Sequence, residues 1–213
     1  MKDLEIFEQL HYQVNELYER IIADLGEKHY SIVEDFFNPN EVVALRGSLL
    51  EHYQENAFKK SAIGNKVNEE VIKSIRGDFI LWIDEQRANT AESLYFNKIN
   101  TLVDYLNKTC FMGILQKEFH YAVYPKDTFY KRHLDTFQND ERRKLSVVCY
   151  LNDALWQDSN GGELVIYTKD DKEEIIDPLP GKIVIFESQL LEHEVKPVLN
   201  NKRLSITGWL KTR

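Results

Sequence analysis

Phe119-His120-Tyr121-Ala122-Val123-Tyr124-Pro125-Lys126-Asp127-Thr128-Phe129-Tyr130-Lys131-Arg132-His133-Leu134-Asp135 is the stretch on which the fold turns. It reads as an aromatic and β-branched strand, a turn at Pro125-Lys126-Asp127, and a second strand that closes on His-x-Asp. Side chains alternate along a strand with period 2, so His133 and Asp135 are expected to point the same way. From Gln116 onward the chain breaks into short strand-like runs, roughly 116–124, 128–133, 144–152, 163–168, 173–177, 182–186, 193–198 and 203–210. Along the last run Arg203, Ser205, Thr207 and Trp209 share one face, and Leu204, Ile206 and Leu210 the other. An arginine leading a polar face that holds a tryptophan suggests a lined pocket. The competing reading is a solvent-facing edge strand.

Upstream the pattern is helical. Phe7, Leu10, Val14, Leu17, Ile21 and Leu25 recur at three- and four-residue spacing and form one apolar stripe, read as a helix packed on the protein's own sheet or as a dimer seam. A second helix is expected to start at Asn40, after Pro39, carrying Val43, Leu45, Leu49, Leu50 and Tyr53. A third follows Asn89-Thr90, where Glu92 can close a capping box, and buries Leu94, Ile99, Leu102 and Leu106. Helices first and antiparallel strands afterwards indicate an α+β fold. Eight strands rolled into a double-stranded β-helix, the jelly roll, would bring the His133 and His193 strands together.

Composition sets limits. The chain has 213 residues, enough for one domain with a sizeable core. Its net charge of −8 argues against a dedicated nucleic-acid binder, which needs a basic face. Basic clusters at Lys131-Arg132 and Arg142-Arg143-Lys144 are better suited to an acidic substrate or an ion pair. The start, Met1-Lys2-Asp3-Leu4-Glu5, has no apolar signal region, and no run approaches the roughly 18 apolar residues of a membrane span. A cytoplasmic protein without membrane contact is therefore expected. Only two cysteines occur, Cys110 and Cys149, read as buried free thiols in a reducing compartment.

With 6 His and 35 acidic residues, a His-x-acid pair is expected about once by chance, so the pair alone is a weak signal. His193 strengthens it, because it follows the strand Lys182-Ile183-Val184-Ile185-Phe186. Two imidazoles and one carboxylate suit Fe(II) and leave three positions of an octahedron open. A cupin-like site that binds zinc, or nothing, is the rival reading; a purely structural metal would not need Arg203.

Six motifs then occur in order: Ala122-Val123-Tyr124-Pro125, Tyr130 to Asp135, Cys149-Tyr150-Leu151-Asn152, Gly161-Gly162-Glu163-Leu164, His193-Glu194-Val195 and Arg203. Together they resemble the iron(II)- and 2-oxoglutarate-dependent prolyl 4-hydroxylases. The likeness is closest to the prolyl-hydroxylase-domain enzymes of the hypoxia-inducible-factor type and their bacterial relatives. Ile75-Arg76-Gly77-Asp78 with Trp82 extends it to that subgroup, so it covers about Ile75 to the C-terminus.

The resemblance implies that His133, Asp135 and His193 are the catalytic iron ligands. It implies that Arg203 grips the far carboxylate of 2-oxoglutarate beside Tyr150, with Tyr124 and Thr207 lining the pocket; Tyr150 alone would also pass as a core tyrosine. Asp135 fills the place that halogenases leave vacant, which favours hydroxylation. The implied reaction consumes O2 and 2-oxoglutarate, releases succinate and CO2, and is supported by ascorbate. Its implied target is a prolyl residue in a protein segment, of a translation factor for example, entering beside Arg143, Trp209 and Arg76 to Asp78. An Asp78–Arg143 ion pair is expected, although Arg143 also reads as one solvated charge in a turn, and Phe79 to Thr90 would form a mobile substrate-side loop. The expected layout is one domain, 1–213, with helical support, substrate-side strands and loop over about 1–112 and the dioxygenase core over about 113–212, as a monomer or weak dimer. The alternatives are the same iron core acting on a small molecule or nucleic acid, and a non-catalytic jelly-roll metal-binding module.

Overall fold

The computed structural model describes residues 13–61, 75–136, 142–170 and 172–212. Three helices precede most of the strands: α1 (Glu16–Lys28), α2 (Pro39–Gln54) and α3 (Thr90–Cys110). Each starts where a side chain satisfies an orphan backbone N–H. Asn15 accepts from the Tyr18 amide, and capping boxes form between Asn38 and Glu41 and between Asn89 and Glu92. α2 thus starts one residue earlier than expected, because Pro39 suits the first helical position, where no N–H is needed. α1 and α3 both end on a left-handed residue, His29 and Phe111.

Eleven strands are described: β1 (Tyr30–Val33), β2 (Lys59–Lys60), β3 (Phe79–Ile83), β4 (Gln116–Tyr124), β5 (Tyr130–His133), β6 (Arg143–Tyr150), β7 (Leu164–Tyr167), β8 (Glu173–Ile176), β9 (Ile183–Glu187), β10 (Glu192–Val195) and β11 (Arg203–Lys211). They form a seven-stranded sheet, β1-β9-β6-β11-β4-β3-β2, and a four-stranded sheet, β5-β10-β7-β8. All described pairings are antiparallel. The eight strands expected from Gln116 onward are all present, and the α+β jelly-roll reading holds. β1 to β3 were not anticipated: β1 and β2 are very short, and β3 lies in the stretch expected to be a loop. Phe79–Ile83 pairs along its length with β4, and a short 3-10 turn at Glu85–Arg87 leads into α3.

The large sheet is covered on both faces. Phe119, Tyr121 and Val123 of β4 pack with Ile21, Leu45, Leu49, Ile99 and Leu102 of the helices. Ala122 and Tyr124, one residue out of phase, pack with Leu164, Ile166 and Val195 of the small sheet. Each fully buried Ile or Leu contributes about 1.5–3 kcal/mol, so the stripe on α1 folds against this core. Ile21 and Leu25 are buried there, so the C-terminal half of the stripe packs on the core, whereas Val14 is exposed; Phe7 and Leu10 lie outside the described residues. Val43 turns away from the core and is exposed. Cys149 is buried as expected, but Cys110 is exposed at the end of α3.

Candidate metal centre and its pocket

Register places the site. β11 lies between β4 and β6, so it is a central strand and the edge-strand reading fails. Opposite residues share a face, and the pairs Arg203–Tyr124, Ser205–Ala122 and Thr207–His120 line β4 up with β11. Ser205–Tyr150, Thr207–Val148 and Trp209–Ser146 do the same for β6. Arg203, Tyr124 and Tyr150 therefore cluster at one end of the inner face, and Trp209, His120 and Ser146 at the other.

Across the interior, His133 of β5 stands opposite His193 of β10. Their ligating atoms and a carboxylate oxygen of Asp135 lie within 4.8 Å of one another and could hold a metal ion. His133 Nε2 is 3.5 Å from Asp135 Oδ1, and His193 Nε2 is 3.6 Å from Oδ2. Each histidine turns Nδ1 to a backbone carbonyl, Lys131 at 2.7 Å and Leu191 at 3.4 Å. Anchoring Nδ1 in this way turns Nε2 of each ring toward the carboxylate. Burial pushes His193 down to about 4, leaving it neutral at pH 7. Burial pushes Asp135 up, but the nearby histidines and the Ser146 hydroxyl outweigh it and hold the carboxylate below its ordinary range. Three electron-rich groups converge, and a cation is what relieves that convergence. One detail differs from the sequence reading: β5 ends at His133, and Asp135 lies in a bend beyond it.

At the other end, Arg203 is 1% exposed and lies 5.0 Å from the Tyr124 and Tyr150 rings. Its Nε donates to Gly162 O at 2.8 Å and its Nη1 to Ser205 Oγ at 3.4 Å. Gly162, at φ 77, is needed here, since a β-carbon would come within 3.0 Å of Arg203 Cδ. Among the described residues no carboxylate lies within ion-pair distance of Arg203, and the buried Tyr150 hydroxyl has no hydrogen-bond partner. Burial raises Tyr150 to about 12 and keeps it protonated as a donor. A buried guanidinium without a counter-charge, next to an orphan donor, fits an anionic ligand such as a carboxylate. Thr207 continues the polar row, 3.3 Å from Ser205.

The mouth is aromatic and basic. The Arg143 guanidinium lies 3.5 Å from the Trp209 ring, and Nη1 donates to the Asp135 backbone carbonyl at 3.2 Å. His120 sits against Trp82 and Trp209, at 5.0 and 5.6 Å between ring centroids. Burial, helped by Arg76, lowers His120 to about 3, so this ring is neutral. The expected Asp78–Arg143 pair is replaced by another: Arg76 binds Asp78 through two bonds of 2.8 and 2.7 Å. The adjacency comes from the sheet edge, because Arg76 bridges to Tyr130 and Lys131 donates back to Ile75. Arg76 stacks over Tyr130 at 4.3 Å, and Tyr130 stacks on His133 at 3.6 Å. Arg76 and Asp78 thus brace a histidine of the triad.

A profile of the 2OG-Fe(II) oxygenase superfamily matches residues 119–211. A prolyl-4-hydroxylase from Pseudomonas putida superposes with a TM-score of 0.83 at 34% identity, covering 92% of this chain and 99% of that one. The chain belongs to the 2OG-Fe(II) oxygenase superfamily. A prolyl hydroxylase from Trichoplax adhaerens, solved with a hypoxia inducible factor oxygen degradation domain peptide fragment, resembles this oxygenase with a TM-score of 0.82 at 27% identity, over 92% of this chain and 89% of that one. A PKHD-type hydroxylase from Prochlorococcus marinus (strain MIT 9515) is 35% identical over 103 residues, 46% of this chain and 44% of that protein. The oxygenase thus matches less than half the length of the curated relatives. Among its described residues no helix is long and apolar enough to cross a membrane.

Sequence reasoning missed Ser146, Ser188 and His120. Ser146 left a faint signal, as the lone polar residue in Leu145-Ser146-Val147-Val148-Cys149-Tyr150. His120 and Ser188 acquire their positions only through pairing across the sheet and the turn after β9.

Proposed function

We propose that this oxygenase is an Fe(II)- and 2-oxoglutarate-dependent dioxygenase that hydroxylates a prolyl residue, at its 4-position, in a protein segment. The observation that carries the co-substrate reading is the buried, uncompensated Arg203 guanidinium beside the orphan Tyr150 hydroxyl, within the same interior as the histidine–aspartate cluster. His133, Asp135 and His193 would hold iron, which when bound with 2-oxoglutarate and O2 supplies the oxidising power for C–H hydroxylation. Arg203 and Tyr150 would bind the distal carboxylate, with Tyr124 walling the pocket and Thr207 lining it toward the iron. Burial excludes water and strengthens each of these contacts. Ascorbate would support turnover by keeping iron reduced.

The prolyl target is supported by the Pseudomonas putida prolyl-4-hydroxylase, which this chain covers almost end to end. It is also supported by the mouth, where the exposed Trp82 ring, 6.2 Å from the buried Trp209 that stacks with Arg143, offers a flat apolar face to a peptide carrying a proline ring. Arg76 and Asp78 act here by bracing Tyr130 against His133. We place the enzyme in the cytoplasm, with a translation factor as the type of protein substrate.

The test incubates the purified protein with Fe(II), 2-oxoglutarate and a cell extract, and follows succinate release and mass gain on tryptic peptides. Iron-dependent succinate with +16 Da on proline is expected. Gain confined to other residues refutes the prolyl target alone, whereas no succinate under any condition refutes the dioxygenase.

A further inference from the structure

Ser146 and Ser188 are both 0% exposed and lie side by side, on β6 and just after the adjacent β9. A hydroxyl buried in apolar surroundings is costly unless bonded, so such a pair calls for a reason. Ser146 Oγ lies 2.7 Å from Asp135 Oδ2 and 2.8 Å from Ser188 Oγ. An ionised carboxylate only accepts, and a hydroxyl has one hydrogen. Ser146 must therefore donate to Asp135, which leaves Ser188 to donate to Ser146. The direction of the chain is fixed: Ser188 to Ser146 to Asp135.

This matters because Asp135 has left its strand. β5 stops at His133, so no ladder bonds orient the carboxylate. Both bonds that Asp135 accepts on the β6 side come from that strand, the Ser146 hydroxyl to the side chain and Arg143 Nη1 to the backbone carbonyl. The two histidines, by contrast, sit on paired strands with Nδ1 anchored to carbonyls. Where the histidines are held by backbone carbonyls, the carboxylate is held by a side-chain hydroxyl.

We propose that Ser146, itself oriented by Ser188, is a positioning residue that fixes the Asp135 carboxylate for metal capture. The proposal rests on the metal-site reading above. Tying Oδ2 down limits rotation of the carboxylate and pre-forms the site before metal arrives.

The test uses full-length, metal-free protein and its Ser146→Ala, Ser188→Ala and Ser146→Thr variants. Each is titrated with Co(II), read by its visible absorption, and its metal-free melting curve is recorded. Ser146→Ala is expected to weaken Co(II) binding by about 10- to 100-fold, as loss of a bond to a ligating group typically does. Ser188→Ala should give a smaller loss in the same direction. Ser146→Thr, which keeps the hydroxyl, should stay within about three-fold of the parent. Affinity within about two-fold of the parent in Ser146→Ala overturns the proposal. So does equal weakening in Ser146→Thr with an unchanged melting curve, since packing and not the hydroxyl would then be responsible. If Ser146→Ala does not fold, parent-like affinity in Ser188→Ala overturns the proposed chain. Absence of Co(II) binding by the parent protein itself would overturn the metal-site reading and this role with it.

Discussion

Replacing Asp78 by asparagine should destabilise the protein strongly and loosen one wall of the metal centre. Asp78 is 1% exposed, and its two oxygens take both bonds from Arg76, whose side chain is 13% exposed. The amide keeps the shape and removes the charge, leaving a guanidinium that is nearly dry and uncompensated. Breaking one side of such a pair costs about 3–5 kcal/mol. At roughly 2–4 °C per kcal/mol for a chain of this size, the melting temperature should fall by about 6–20 °C. Burial pushes Asp78 up, but the Arg76 charge and hydrogen bonds outweigh it, so its folded pKa lies below the ordinary value. The contribution is therefore fully present above the unfolded pKa of about 3.9 and is lost as pH falls through the depressed folded value. Calorimetry from pH 7 down to about pH 2.5 should show that acid-sensitive part in the parent and not in Asp78→Asn. The double variant Arg76→Met, Asp78→Leu should recover much of the loss, because no buried charge is stranded. A melting temperature within about 2 °C of the parent for Asp78→Asn would refute the reasoning. A double variant no more stable than the single one would do the same.

Other consequences follow from the same geometry. Arg203→Ala should weaken 2-oxoglutarate binding by about 2–4 kcal/mol, roughly 30- to 1000-fold, in calorimetric titration of the Mn(II)-loaded protein; unchanged affinity would remove Arg203 from the co-substrate pocket. Gly208→Ala should abolish soluble expression, since a β-carbon there would come 2.0 Å from Glu118 O and 2.3 Å from the Phe119 ring, on the central strand; a folded, stable variant would show that the strands can part. Under native conditions a thiol reagent should label Cys110 and spare Cys149, which is fully buried, and mass spectrometry before and after denaturant reads the difference.

The β-rich half was legible because its strands are bounded by turn residues and alternate on a large scale, and helix starts were legible because caps are local chemistry. Asn89 and Glu92 needed no tertiary context to form their box. β3 was not legible: Phe79-Ile80-Leu81-Trp82-Ile83 is strand-like in composition, but the family likeness favoured a loop there, and only pairing with β4 settles it. The partner of Asp78 was misread for a related reason. Arg76 and Arg143 are both plausible cations in the chain, and the choice between them depends on how the edge of β5 receives residues 75–77.

By itself the sequence determined the α+β jelly roll, because its helical and strand periods and their order are properties of the chain. It offered His133, Asp135, His193 and Arg203 as candidates only through six ordered motifs that resemble a known family. Only the tertiary structure decided that Arg203 lies without a carboxylate partner among the described residues, that Arg76 and not Arg143 holds Asp78, and that two buried serines stand behind Asp135. Each depends on which strands become neighbours. Burial then sets the electrostatic cost of a missing or present partner, and neither quantity exists until the sheets have closed on one another.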